Sequence, residues 1–271
     1  ISIDMQITTF SVGERVTAHQ HLAHAKTGDL ILYDRGYPAT WLLRAHLDKG
    51  VDFCMRVTHS QFMDAKNLVA SEETDKIVTM DMTPHMKKLC KVQGVSDEPI
   101  TVRWVKVNIP DSDEIEVLVT SLLDQEAYPY EEFVTLYHLR WFSEENYKTL
   151  KSKLEIENFS GYAKNSIEQD IQAKTVTRNL AAIMSMSAQE RVNEQQAGKE
   201  LKRNYQVNFA NVLRKLKDNV VRLLLSSTPE LLINRLIVSF ARSAEAVRPG
   251  RKFERDLKKR VSRFTMQYKH C

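Results

Sequence analysis

The stretch DLILYDRGYPATWLLRAHLDKGVDFCMRV, Asp29 to Val57, constrains the fold more than any other part of the chain. It opens with an apolar run that closes on Asp34, and Gly36 and Pro38 then break the chain. TWLLRAHLDKG follows as an amphipathic helix that stops at Gly50. VDFCMRV is a second short strand. A strand, a helix and a strand joined this closely form a crossover with parallel strands and a right-handed connection. The chain is therefore expected to be α/β. DLILYD itself suits a strand buried on both faces, in the middle of a mixed sheet.

The flanking regions extend this reading. GERVTAHQHLAHA, Gly13 to Ala25, reads as a helix. The first ten residues, ISIDMQITTF, look like a strand already inside a fold, so the chain is expected to be a fragment of a longer reading frame. From about Thr58 to Asp124 the texture changes. KIVTMDM, ITVRWVKV and IEVLVTSLL are rich in β-branched residues and separated by SDEP and IPDSDE turns, which predicts an antiparallel strand-rich insertion. Helical patterning resumes near Tyr130 and continues through IEQDIQAKTVTRNLAAIMSMSAQERV, FANVLRKLKDNVVRLLL and PELLINRLIVSFARSAEAV. The tail RPGRKFERDLKKRVSRFTMQYKH is dense in Arg and Lys; such clusters bind nucleic acid or form solvated arms.

Composition narrows the function classes. With 271 residues and 42% hydrophobic content the chain can bury a full core. A net charge of +4 is only weakly suggestive of a polyanionic partner. Cys54, Cys90 and Cys271 are too widely spaced for a disulfide framework or a CxxC metal motif, which points to a reducing compartment. No apolar run is long enough to span a membrane, and no signal peptide is expected. The glycines are scattered, with no phosphate loop, and no G-x-S-x-G elbow occurs. His19, His21 and His24 lack the i, i+4 spacing of a helical zinc site. Trp41 and Trp141 read as core or near-site packing, and Met184 and Met186 as core filler.

A second segment carries chemistry. YHLRWFSEENYKTLK, Tyr137 to Lys151, has no Gly or Pro and is predicted to be one helix. At about 100° per residue, Tyr137, Arg140, Glu144 and Lys151 fall within about 60° of one another. Leu136, Leu139, Phe142, Leu150 and Leu154 collect on the opposite, buried side. This face also reads as a solvated surface with i, i+4 pairs such as Arg140 and Glu144. Asp34 sits at the carboxyl end of its strand, where ligands bind in open α/β sheets, although a lone Asp there is also a common turn former. Carboxylates converging from a strand end and a helix suit Mg²⁺, which is hard and is held by few protein carboxylates plus water and phosphate. Two such ions activate water and stabilise a leaving 3′ oxygen. Arg and Lys beside them hold phosphates, and a Tyr hydrogen-bonds a phosphate or stacks on a displaced base.

DLILYDRGYPATWLL and YHLRWFSEENYKTLK together resemble the DDE transposases of bacterial insertion sequences. More narrowly they resemble the insertion-sequence-four group, marked by Tyr, two residues, Arg, three residues, Glu, six residues, Lys. Tyr137, Arg140, Glu144 and Lys151 meet that spacing, and Asp-Arg-Gly-Tyr at Asp34 matches the family's second acid. GERVTAHQHL, IENFSGY, IEQDIQAK and the basic ending also look familial, so the resemblance covers nearly the whole chain.

The resemblance implies a ribonuclease-H-like mixed sheet with an antiparallel β-rich insertion and a helical C-terminal region. The expected divisions are 1–57 for a partial core lacking its first strands, 58–126 for the insertion, 127–192 for the rest of the core with the Glu helix, and 193–271 for the helical region and basic tail. It implies cut-and-paste transposition on double-stranded DNA, element ends and target, by a homodimer in the bacterial cytoplasm at the nucleoid. Asp34 and Glu144 would be the metal-ligating catalytic acids, for two Mg²⁺ ions or Mn²⁺ in their place. Tyr137, Arg140, Lys151, Arg35 and Lys148 would contact DNA. The family's first acid belongs two strands and a helix before the second. Asp4 is too close to Asp34 for that, so the first acid is expected upstream and this chain is expected to be inactive. The alternatives are a DNA-binding remnant without catalysis and a helical scaffold with a solvated charged stripe.

Overall fold

A computed structural model describes residues 1–9, 11–58, 60–108, 115–200 and 202–248. The basic tail beyond Arg248 and Cys271 lie outside the described residues. The fold is mixed α/β with a five-stranded mixed sheet. By internal packing the chain divides into two compact units, Gln6–Glu145, and Ile1–Met5 together with the described residues from Asn146 onward.

The first unit begins with α1 (Glu14–His21) and a 3-10 turn at Leu22–His24. β1 (Leu30–Tyr33), α2 (Thr40–Lys49) and β2 (Asp52–Val57) then form the expected crossover, with β1 and β2 parallel and Tyr33 paired with Met55. Gly50 ends α2 in the left-handed conformation at φ 67°, and its N–H and that of Val51 close back on the last turn. α3 (Met63–Ala70), β3 (Asp75–Met80), α4 (Pro84–Gln93), β4 (Ile100–Asn108) and β5 (Ile115–Thr120) follow. Thr83 caps α4 by accepting from the Met86 N–H, with Pro84 in the first turn, where its missing N–H costs nothing. The strand order is β1-β2-β5-β4-β3, and every pair except β1–β2 is antiparallel.

Two expectations need correcting here. β1 is not central: it stands at one end of the strand order, and only Tyr33 of its four residues is fully buried. An apolar run of four cannot distinguish a central strand from an end strand that helices cover. Between β2 and β5 the segment also holds two helices, α3 and α4, that the strand-rich texture concealed.

The sheet's core is built from α2, β2, β4 and β5, with Leu42, Leu43, Phe53, Met55, Trp104, Val117 and Val119 at its centre. Its opposite face carries Cys54, Val105 and Leu118 and receives Phe133 and Tyr137 of α5 (Glu132–His138). Arg103 on β4 is only 1% exposed. Its Nε donates to Asp75 Oδ2 at 2.7 Å, its Nη1 donates to the Tyr128 carbonyl at 2.7 Å, and its guanidinium stands 5.1 Å from the Phe133 ring. This one side chain fastens the loop that leads into α5 to the sheet.

α6 (Trp141–Ser152) follows α5, so the single helix expected over Tyr137–Lys151 is broken. The break is a tightened turn. The N–H groups of Leu139, Arg140, Phe142 and Ser143 each bond to the carbonyl three residues back. The 100° periodicity fails across it, and the faces do not fall as expected. Tyr137 is buried, whereas Leu139 and Phe142 are exposed, Phe142 by 70%. Trp141 is exposed as well.

The second unit is helical. α7 (Lys164–Gln196), 33 residues long, packs against β6 (Tyr205–Val207), α8 (Phe209–Lys217) and α10 (Pro229–Ala241), with α9 (Val220–Leu224) between the last two. Leu150, Leu154, Met184, Leu213, Leu216 and Phe240 anchor its core, while Met186 is exposed rather than core filler. The helix expected over FANVLRKLKDNVVRLLL splits at Asp218–Asn219, and SAEAV contributes β7 (Ala244–Ala246), which pairs with β6. Residues 1–9 form no strand. Ser2 instead exchanges two hydrogen bonds with the Asn179 side chain, at 2.8 and 2.7 Å, an amide doing what a neighbouring strand would do.

Candidate active site

β1 delivers Asp34 to the carboxyl end of the sheet, where the chain turns sharply. The Tyr37 N–H closes the turn on the Asp34 carbonyl at 3.1 Å, and Arg15 Nε of α1 donates to the Gly36 carbonyl at 2.9 Å. Asp34 Oδ1 accepts two hydrogen bonds, from the Arg35 N–H at 2.6 Å and from Arg56 Nη2 at 2.8 Å. Arg56 is the next residue of β2 beyond the Tyr33–Met55 pair, which sets it beside Asp34. Its Nη1 donates to Glu116 Oε1. In the antiparallel β2–β5 ladder Arg56 faces Leu118, so Glu116 is its diagonal neighbour, within reach of a long side chain.

α5 and α6 bring the second half. The Tyr137 hydroxyl donates to the Tyr33 carbonyl at 3.2 Å, one residue before Asp34. Arg140, in the tightened turn, lies with its guanidinium 5.5 Å from the Tyr137 ring centre and donates from Nη2 to Glu144 Oε1 at 2.7 Å. The Tyr33 hydroxyl in turn meets His46 Nε2 at 3.1 Å. His46 Nδ1 is 2.8 Å from the Leu42 carbonyl, so that nitrogen carries the proton and Nε2 accepts.

The charges form one neighbourhood. Burial pushes the Asp34 carboxyl up, but the Arg35 N–H, the Arg56 guanidinium and the Arg140 charge together hold it below its ordinary value. Burial pulls the Arg140 guanidinium down, and the Glu144 hydrogen bond with the charges of Tyr137, Asp34 and Glu144 more than restores it. Arg140 thus feels both acids, which are 110 residues apart in sequence. Burial is also the main reason that the Tyr137 hydroxyl is raised. Nε of Arg56 and Nε of Arg140 are both buried without a hydrogen-bond partner.

The expected site residues therefore separate into groups. Asp34, Arg140 and Glu144 share this neighbourhood. Tyr137 reaches it from the buried side, a correction to the open stripe in which it was expected. Arg35 is exposed in the turn, with its N–H on Asp34. Lys148 and Lys151 are exposed on α6, Lys151 Nζ lying 3.1 Å from Glu157 Oε1. Arg56 and Glu116 are the residues that reading the sequence missed. Their signal was present: each is a charge inside an otherwise apolar strand, FCMRV and IEVLV.

A divalent ion can be tested against these groups. Asp34 is 44% exposed and Glu144 38%, and each has one oxygen engaged by a guanidinium. Both hydrogen bonds to Asp34 fall on Oδ1. Two hard carboxylate oxygens fit an ion that keeps most of its water. Among the described residues no three His, Cys, Asp or Glu side chains are grouped closely enough to hold a metal by themselves. Also among the described residues, no helix is long and apolar enough to cross a membrane.

Two comparisons with known proteins bear on this site. No curated protein matches the chain. The family described as "Transposase DDE domain" matches residues 1–180, which include every group named above.

Proposed function

Because the chain belongs to the transposase DDE domain family, we propose that it is catalytic-core sequence of a bacterial insertion-sequence transposase with a ribonuclease-H-like sheet. Its reaction is divalent-metal-dependent cleavage of DNA at an element end and transfer of the freed 3′-hydroxyl to target DNA. The observation that supports this reading is that Arg140 donates to Glu144 at 2.7 Å while its charge also acts on Asp34. On this reading the two family-motif acids belong to one site.

In this mechanism Asp34 and Glu144 would hold the ion, Mg²⁺ or Mn²⁺, through carboxylate oxygens. When bound, such an ion supplies an activated water and charge stabilisation for the leaving oxygen. Arg140 keeps the Glu144 carboxylate aimed and offers its remaining N–H groups to a phosphate. Arg35, Lys148 and Lys151 are exposed cations that neutralise further phosphates. Tyr137, with its hydroxyl given to the Tyr33 carbonyl, supports β1 rather than DNA. Synapsis of two element ends calls for a homodimer on DNA.

The proposed reaction calls for three acids, and this reading supplies two of them. A second reading, a DNA-binding protein without cleavage, is favoured because no three His, Cys, Asp or Glu side chains among the described residues are grouped closely enough to hold a metal. Asp34→Asn and Glu144→Gln in the full-length protein test the choice. Each is expected to lose Mg²⁺-dependent strand cleavage while binding element-end DNA in EDTA as the parent does. Cleavage that survives both substitutions would sink the proposed mechanism. A parent that binds but never cuts would establish the second reading.

A further inference from the structure

Two charged groups beside Asp34 have no part in the chemistry so far. Arg56 and Glu116 lie on neighbouring strands, β2 and β5. Arg56 is a bridge: one terminal nitrogen donates to Asp34 Oδ1 and the other to Glu116 Oε1. Its side chain is 24% exposed, that of Glu116 17% and that of Asp34 44%, so exposure falls from the site inward. Three rigid connections hold the bridge in place. Arg56 is fixed to β1 by the parallel Tyr33–Met55 register, Glu116 is fixed to β2 by the antiparallel ladder, and Asp34 is fixed by the Arg35 N–H.

The geometry points to Arg56, held by Glu116, as a positioning residue for Asp34. It occupies Oδ1 and so fixes the carboxylate, leaving Oδ2 for a ligand. This inference rests on the reading of Asp34 as a metal-ligating acid. A planar guanidinium suits the task because its two terminal nitrogens diverge from one rigid plane; an ammonium offers the same charge without the fork. Partners that orient metal-ligating carboxylates in this way are worth about 10- to 100-fold in metal affinity. A bare counter-ion would act in the opposite sense. A cation beside a metal site repels the metal, so removing it would tighten binding.

Mn²⁺ binding to the 271-residue chain without DNA, followed by the loss of its free electron-paramagnetic signal, separates these cases. Arg56→Ala is expected to weaken Mn²⁺ binding about tenfold or more. Arg56→Lys is expected to restore little of it, because charge alone does not bridge two carboxylates. Glu116→Gln, a near-isosteric change, is expected to weaken binding severalfold. Combined with Arg56→Ala it should add nothing, because Glu116 acts through Arg56. In the parent chain the Arg56 Nη–H protons should give separate, slowly exchanging nuclear magnetic resonances, and Glu116→Gln should collapse them.

Unchanged or tighter binding in Arg56→Ala would overturn the inference, as would full rescue by Arg56→Lys or averaged Nη–H signals in the parent. Asp34→Asn is the control. If Asp34→Asn leaves Mn²⁺ binding unaltered, the metal-ligating reading itself falls and takes this inference with it. If Asp34→Asn abolishes binding and Arg56→Ala does not, the positioning role alone is wrong.

Discussion

At the scale of single residues, two buried polar groups set the strongest expectations. His46 is fully buried, and burial pulls its imidazole down to about 4, outweighing the Leu42 carbonyl that favours its protonated form. A histidine with a lowered folded value contributes stability that is complete above its unfolded value, about 6.5, and is lost as pH falls toward 4. Urea denaturation at pH 7 and pH 5 should therefore differ by about 2 kcal/mol from this group. A His46→Leu variant, less stable at pH 7, should lack that component of the slope. Arg103→Ala should cost roughly 3–5 kcal/mol, because it strands Asp75 beside the core without its partner. A loss below about 1 kcal/mol would mean that the pair behaves like a surface ion pair. Neither residue stood out in the sequence. A histidine in TWLLRAHLDKG and an arginine in ITVRWVKV look like exposed positions of their elements, and only long-range partners such as Tyr33 and Asp75 give them their roles.

At the scale of elements, the tightened turn between α5 and α6 decides what each apolar side chain does. The sequence periodicity sets Phe142 and Leu150, both in α6, on one buried face. They do not share it: Phe142 is 70% exposed and Leu150 2%. Leu150→Ala should destabilise by roughly 2–5 kcal/mol, while Phe142→Ser should stay within about 0.5 kcal/mol, both read from denaturant midpoints. Equal costs would restore the shared buried face. The crossover from β1 through α2 to β2 was legible because it rests on local signals, a Gly stop and two apolar runs. The turn was not legible. Its sequence, HLRWF, holds no Gly or Pro, and what accompanies it is tertiary: the Tyr137 ring buried against the sheet with its hydroxyl on Tyr33. Asp34 and Glu144 are proposed from the family motifs, whereas the lone charges Arg56 and Glu116 in their apolar strands gain a partner only through the pairing of β2 with β5.

For the whole molecule, a net charge of +4 is too small for binding to DNA by bulk attraction, so any strong affinity must come from cations gathered in one place. Element-end DNA binding should fall steeply with salt, and Lys151→Ala should flatten the log–log slope by about one unit. A slope unchanged in Lys151→Ala would remove that side chain from the DNA surface. The strand order has a consequence of its own during synthesis. β2 leaves the ribosome before its second neighbour, β5, which lies about 60 residues later, a delay of several seconds at typical elongation rates. Through that interval the apolar FCM of β2 has one edge open to any other nascent strand. Slowing initiation or lowering the growth temperature should therefore raise the soluble yield of this chain, since fewer half-made copies would meet before β5 arrives to close the sheet.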